Sequence, residues 1–199
     1  MGREIMRFER VSVEKLTAII VGVTILVIAA GGTIRIYDAG ESCPDWPTCF
    51  GTWGFDISEE EQREWFDENP SEIDSRGSSH TYTTFEIFTE WIHRLLAGAI
   101  LGRLVILNWF IIRKDEELTN EVKLASLISV LLIGWQGFLG YVTVRLDNLH
   151  WSVALHLASA LLFLMSLIWI WLATVRDKEQ IPSIHVYSNL IFLNLSFLI

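Results

Sequence analysis

IFTEWIHRLLAGAILGRLVILNWFII, residues 87–112, decides the fold. Three other stretches announce themselves as membrane spans without help: 16–34, 124–144 and 151–175 carry no formal charge, and about 20 apolar residues suffice to cross a bilayer. The quoted stretch has the right length but holds Glu90, His93, Arg94 and Arg103, which any hydropathy scale penalises. If it crosses, its charges must face a bundle interior, and the chain is an all-α, polytopic, antiparallel four-helix bundle. That is the reading adopted. Arg103 lies deeper than Arg94 and on a different side of the helix, so its partner stays unassigned.

Lysine and arginine set the orientation. Arg3, Arg7, Arg10 and Lys15 precede the first span, Arg113, Lys114 and Lys123 separate the second from the third, and Arg176 and Lys178 follow the fourth. The N-terminus is therefore expected in the cytoplasm. The long loop 37–84 then faces outward with twelve carboxylates against Arg63 and Arg76, which accounts for most of the net charge of −9. A solvated, translocated surface explains that acidity without a basic ligand. Nothing in it points to nucleic acid.

Three segments follow: a cytoplasmic N-terminus 1–15, a membrane domain 16–176, and a linker with a partial fifth hydrophobic segment, 177–199. The run 184–199 is short for a span. It reads as a cut fifth helix or as an interfacial tail. No cleavable signal or myristoylation motif is evident at the start. In the outer loop, Ser58-Glu59-Glu60-Glu61 is a capping-box pattern that should open a short amphipathic helix, ended by Asn69-Pro70. The tract 71–79 reads as a flexible connector.

His93 and His156 fall one to two turns below the outer ends of their helices, at ~1.5 Å rise per residue. Two imidazoles at one depth in hydrocarbon suit bis-histidine ligation of a haem iron. Ala97, Ser159 and Ala160 keep the histidine stripes small, and Ala29 to Gly32 and Gly134, Gly137 and Gly140 make the first and third spans lean. Ordinary close packing through small residues explains each glycine equally well. Thr33-Ile34-Arg35-Ile36 and Thr143-Val144-Arg145-Leu146 close the first and third spans as a weak internal repeat. Glu90 either pairs with Arg94 or serves proton transfer beside a bound haem. Arg35, Arg94 and Arg145 either clasp propionates or reach for headgroups. Cys43 and Cys49 sit on the oxidising side, where a small disulfide ring would be either a staple or a redox pair.

Taken in order, Gly31-Gly32-Thr33-Ile34-Arg35, Ser42 to Gly51, Glu90-Trp91-Ile92-His93-Arg94, Gln136-Gly137-Phe138-Leu139-Gly140 and Leu155-His156-Leu157 resemble the haem A synthase family, over residues 12 to about 176. The likeness is to the amino-terminal half of an eight-helix family. It implies oxidation of the C8 methyl of haem O to the formyl of haem A for terminal oxidases, with His93 and His156 as axial ligands, Glu90 beside the reacting methyl, and Cys43 with Cys49 in redox handling or haem delivery. The implied cofactor is haem b, with haem O as substrate. The implied partners are haem O synthase, an electron acceptor, the terminal oxidase and membrane lipid. The implied location is a cell membrane, prokaryotic rather than mitochondrial. One histidine pair holds one haem, so either a homo-oligomer or a missing carboxy-terminal half is expected to supply a second site. The competing functions are a non-catalytic b-type cytochrome or haem carrier, which needs the histidines but not Glu90, and a quinone-linked thiol oxidase built on the cysteines.

Overall fold

The computed structural model describes residues 2–77 and 79–179, with side chains described for 13–77 and 79–175. The expected fifth segment, 184–199, lies outside the described residues. Four helices are long and apolar enough to cross a membrane: Val13–Ile36, Thr84–Lys114, Asn120–Arg145 and His150–Val175. The charged stretch does cross.

The first span belongs to α1 (Gly2–Ile36). Helix α2 (Glu59–Glu68) lies in the long connection and begins at Ser58 with the expected capping box: the Ser58 side chain accepts from the Glu61 N–H, and the Glu61 carboxylate accepts from the Ser58 N–H. The Ser58 hydroxyl also donates to the Glu61 carboxylate, and this bond, with that from the Ser58 N–H, holds the Glu61 carboxyl below its usual value. The second span is α3 (Thr84–Arg94), a π-helical stretch Leu95–Gly102, and α4 (Arg103–Lys114). A second capping box, Thr83 with Glu86, starts it. Helices α5 (Asn120–Arg145) and α6 (His150–Glu179) complete the bundle.

Neighbour relations make a ring. α1 packs on α6 and on the second span, and α5 packs on α6 and on the second span. The second span and α6 are therefore diagonal partners, with no Cα pair within 8 Å among the described residues. Ile20, Val27, Leu101, Val105, Phe163 and Leu167 fill the middle of the interior, and Val13, Ile112, Leu118, Val122 and Ile170 fill the end remote from the long connection. Thr17 and Asn108 add a buried hydrogen bond between α1 and α4 at 3.1 Å. It satisfies both side chains where no water is at hand.

The long connection folds over the other end of the bundle around Cys43, Cys49, Phe50, Ile57, Phe66, Tyr82 and Ile87. Gln62, fully buried, ties α2 to the chain before α3: its Nε2 donates to the carbonyls of Ile57 (3.2 Å) and Tyr82 (2.9 Å), and its Oε1 accepts from the Tyr82 N–H (2.8 Å). The tract expected as a free connector is instead pinned. Tyr82 donates to the Asp74 carboxylate, and Arg76 donates to the Asp38 carbonyl, pairs with Glu41 at 3.5 Å and stacks over the Tyr82 ring. Burial, then the nearby Asp74 charge, raises the carboxyl of Glu41 above its ordinary value. Polarity made this tract look loose, but Glu72, Asp74, Ser75 and Arg76 have partners from two to 73 residues away.

The internal repeat is real, with its register moved by one residue. α1 closes with Tyr37 N–H to Thr33 O and Ala39 N–H to Ile34 O, and α5 with Leu146 N–H to Val142 O and Asn148 N–H to Thr143 O. Asp38 (φ 54°) and Asp147 (φ 46°) hold the left-handed position that ends each helix. The matched residues differ by 109 (146 − 37 and 148 − 39), where the letter match alone gives 110. Under the structural register Gly31 corresponds to Gly140.

Candidate haem site and its roof

His93 and His156 come from the diagonal pair of helices, at the end that carries the long connection. Each ring rests on a glycine of the span before it in its own hairpin. A Cβ at Gly31 would stand 3.2 Å from His93 Cε1, and a Cβ at Gly140 would stand 3.6 Å from His156 Cε1. These two glycines are the pair matched by the repeat. Both Nδ1 atoms are buried without a hydrogen-bond partner. Buried polar nitrogens are ordinarily satisfied, so two orphans facing one interior are a mark of function. Gln136 supplies a third: its Nε2 donates to the His156 carbonyl at 3.1 Å, and its Oε1 is buried with no partner.

This arrangement fits a flat macrocycle bound through its iron. The donors are of the right kind, the backbones that carry them are held apart, and glycine at 31 leaves the His93 ring where a β-carbon would crowd it, while the bed at Gly140 is one of ordinary contact. Among the described residues no group of three or more His, Cys, Asp or Glu side chains could hold a bare metal ion.

Above His93 the structure builds a roof from one side-chain pair. Glu90 is nearly fully buried. Its Oε1 accepts from Arg94, and its Oε2 accepts from the Cys43 N–H (2.9 Å) and the Ser42 hydroxyl (3.1 Å). Arg94 also donates to the carbonyls of Asp45, Thr48 (2.8 Å) and Cys43 (2.7 Å). Both sides of the loop 43–49 are thus gripped by two residues one helical turn apart. Cys43 and Cys49 form a disulfide with Cα atoms 4.5 Å apart. Their side chains are 0% and 1% exposed, beneath Phe50, Phe66 and Tyr82. A sealed disulfide is a staple first, because thiol exchange needs in-line access to sulfur.

The predicted arginines separate. Arg94 is committed to the roof, leaving nothing on its terminal nitrogens for a propionate. Arg145 donates to both Glu72 oxygens at 2.7 and 2.6 Å. Arg35 is exposed, with no side-chain partner among the described residues, and so remains open to an anion. Glu90 is where the sequence put it, beside His93, but both of its oxygens are engaged. Ser42 was overlooked: its hydroxyl links the Ala39 and Glu86 carbonyls to Glu90. Only its place beside Cys43 hinted at that.

A family model for cytochrome oxidase assembly proteins, COX15-CtaA, matches residues 14–199. The chain belongs to that family. Curated relatives of the family agree: it is 34% identical to the haem A synthase of Shewanella oneidensis over 84% of this chain and 47% of that protein. It is 27% identical to the haem A synthase of Erythrobacter litoralis over 82% and 52%, and 24% identical to that of Halalkalibacterium halodurans over 79% and 45%. The chain therefore spans about half the length of the curated relatives it matches. No solved structure matches it. With four membrane-length helices and bacterial relatives, this family member is a multi-pass cell-membrane protein.

Proposed function

We propose that this chain is the haem-handling unit of a haem A synthase: it takes haem O between His93 and His156 and serves the oxidation of the C8 methyl to the formyl of haem A for terminal oxidases. The supporting observation is the pair of histidines on diagonal helices, each bedded on the repeat-related glycine of its own hairpin, with both Nδ1 atoms unpartnered. Haem b, in a second site supplied by another copy or by a further half, is the cofactor this reading calls for. When bound, haem supplies the redox iron and, as haem O, the methyl to be oxidised.

The chain's own residues hold and shield. His93 and His156 would hold the iron, and Gly31 makes the close bed on which the His93 ring lies. Arg35 stands at the α1 end to meet a propionate. The Glu90–Arg94 pair holds the loop 43–49 against water at the His93 end. Glu90 acts on a proton at the methyl only by giving up a bond to Ser42 or Cys43. This places it first as a positioning residue, and the full occupation of its oxygens favours the second reading, a haem-binding electron carrier. The thiol oxidase reading loses ground because the disulfide is buried and no second cysteine pair exists in the chain.

Reduced-minus-oxidised visible spectra with haem extraction, on the chain and on His93→Ala and His156→Ala in a host making haem O, test the proposal. A low-spin haem lost in both variants, with haem A or its hydroxylated precursor recovered from the parent, is expected. Bound haem without conversion, unchanged by Glu90→Gln, would leave the carrier. No bound haem in the parent chain would end both readings.

A further inference from the structure

Arg103 has no place in the haem site. It lies ten residues from Arg113 and nine from Arg94, the charged residues that flank the apolar part of the second span. In the second span, Thr84–Lys114, Arg103 is eleven residues from the nearer end, about 16 Å at ~1.5 Å per residue, which puts it well inside the span. Its side chain is exposed on the lipid side of the bundle, with no hydrogen bond, ion pair or ring contact among the described residues. A side chain shorter than either separation cannot bring its charge fully to the surface by snorkelling, and an unpaired cation at the bilayer centre is costly.

The surroundings are shaped for a neighbour. Gly98 and Gly102 are four residues apart on the π-helical stretch that ends at Arg103. A Cβ at Gly98 would meet nothing within 4 Å, and one at Gly102 only a carbonyl of its own helix at 3.7 Å. Leu95, Ile100, Leu107 and Phe110 extend the same exposed apolar face. Small residues four apart let a second backbone come close in a membrane, where packing and polar pairing replace the hydrophobic effect. π-helical turns recur at functional positions.

We propose that this face docks a transmembrane helix of a partner membrane protein that carries a carboxylate near its middle, paired with Arg103. Charge complementarity gives the four described spans of a second copy no claim as the occupant. Within the four spans the carboxylates are Glu14, Glu86, Glu90 and Glu121, all near helix ends, and residues 180–199 contain none. The proposal stands apart from the haem reading, since none of its residues touches the histidines.

The test uses the full chain in phosphatidylcholine vesicles and a dansyl-labelled polyleucine helix with one central aspartate, beside an all-leucine control. Energy transfer from the protein's tryptophans reports association. The aspartate helix should half-saturate at about tenfold lower density than the control. Arg103→Leu should abolish that preference, Arg103→Lys should keep part of it, and Gly98→Leu should weaken binding of both peptides. Equal binding of the two peptides, or a preference that survives Arg103→Leu, overturns the proposal. Loss of the preference when phosphatidylglycerol is added assigns Arg103 to lipid phosphate instead, and Arg103-dependent transfer between labelled copies of the chain assigns the face to self-association. Haem content, read from the same samples, should be unchanged in every variant.

Discussion

The two histidines occupy related positions in unequal surroundings. His93 sits under a roof in which Glu90, Arg94, Ser42 and the disulfide loop share seven hydrogen bonds across two segments. His156 has Gln136 on its own carbonyl and, beyond it, the turn 146–149, which the long connection meets through Gly40 at Asn148 and Glu72 at Arg145. The beds differ as well, 3.2 Å at Gly31 against 3.6 Å at Gly140. A repeat thus supplies the two histidine beds, and the long connection surrounds His93 with the larger share of the hydrogen bonds. Under the proposed function, in which haem O would enter the site and haem A leave it, one fixed and one yielding ligand is a workable division.

The largest expected effect comes from cutting the rigid side. Arg94→Ala strands the Glu90 carboxylate and three loop carbonyls in a buried place, and should cost about 3 to 5 kcal/mol of stability, measured by thermal unfolding in detergent. Gln136→Ala on the other side should cost far less. Comparable losses would erase the asymmetry. Replacing both cysteines by serine should remove about 2 kcal/mol, because the ring is small. Retained haem binding in that variant would mark the disulfide as a staple. Gly31→Ala should then cost about 1 kcal/mol and shift the low-spin electron paramagnetic signal, since a β-carbon there must push the His93 ring. Gly140→Ala should leave the spectrum alone. The opposite ranking would show His93 to be the yielding ligand.

The smallest effect is a pH dependence of the loop. The Glu41 carboxyl is raised in the folded state, so the fold binds more protons there than the unfolded chain does between the ordinary value near 4.5 and the raised one. Stability from this group is fully present below 4.5 and falls as pH climbs through the raised value. Hydrogen exchange across 71–82, followed from pH 4.5 to about 7, should show the loop loosening with pH, and Glu41→Gln should flatten the profile. An unchanged profile in the variant would remove Glu41 from the account.

The sequence made the spans, the histidine pair, the Ser58 capping box and a disulfide-ready loop legible because each is local: run length, helical spacing, a four-residue cap, seven residues between prolines and cysteines. What it did not show is non-local. Nothing near Arg94 says that its nitrogens go to carbonyls 46 to 51 residues back, and nothing near Arg145 names Glu72. The repeat was visible in letters but misaligned by one, because β-branched residues at helix ends match by habit, whereas the glycine beneath each imidazole is fixed by contact. The tract 71–79 was misjudged for the same reason, its partners being Asp38, Glu41 and Tyr82.

The grip of Arg94 on the loop has a consequence for biogenesis. The loop is made before the residue that closes it, and Arg94 arrives only when the second span is placed in the bilayer. Until then the chain around Cys43 and Cys49 lacks its clamp, and an oxidant can reach both thiols. Once the span is seated, the clamped loop lies with its sulfurs beneath Phe50, Phe66 and Tyr82. Assembly order is thereby written into the fold: oxidise, insert, then seal.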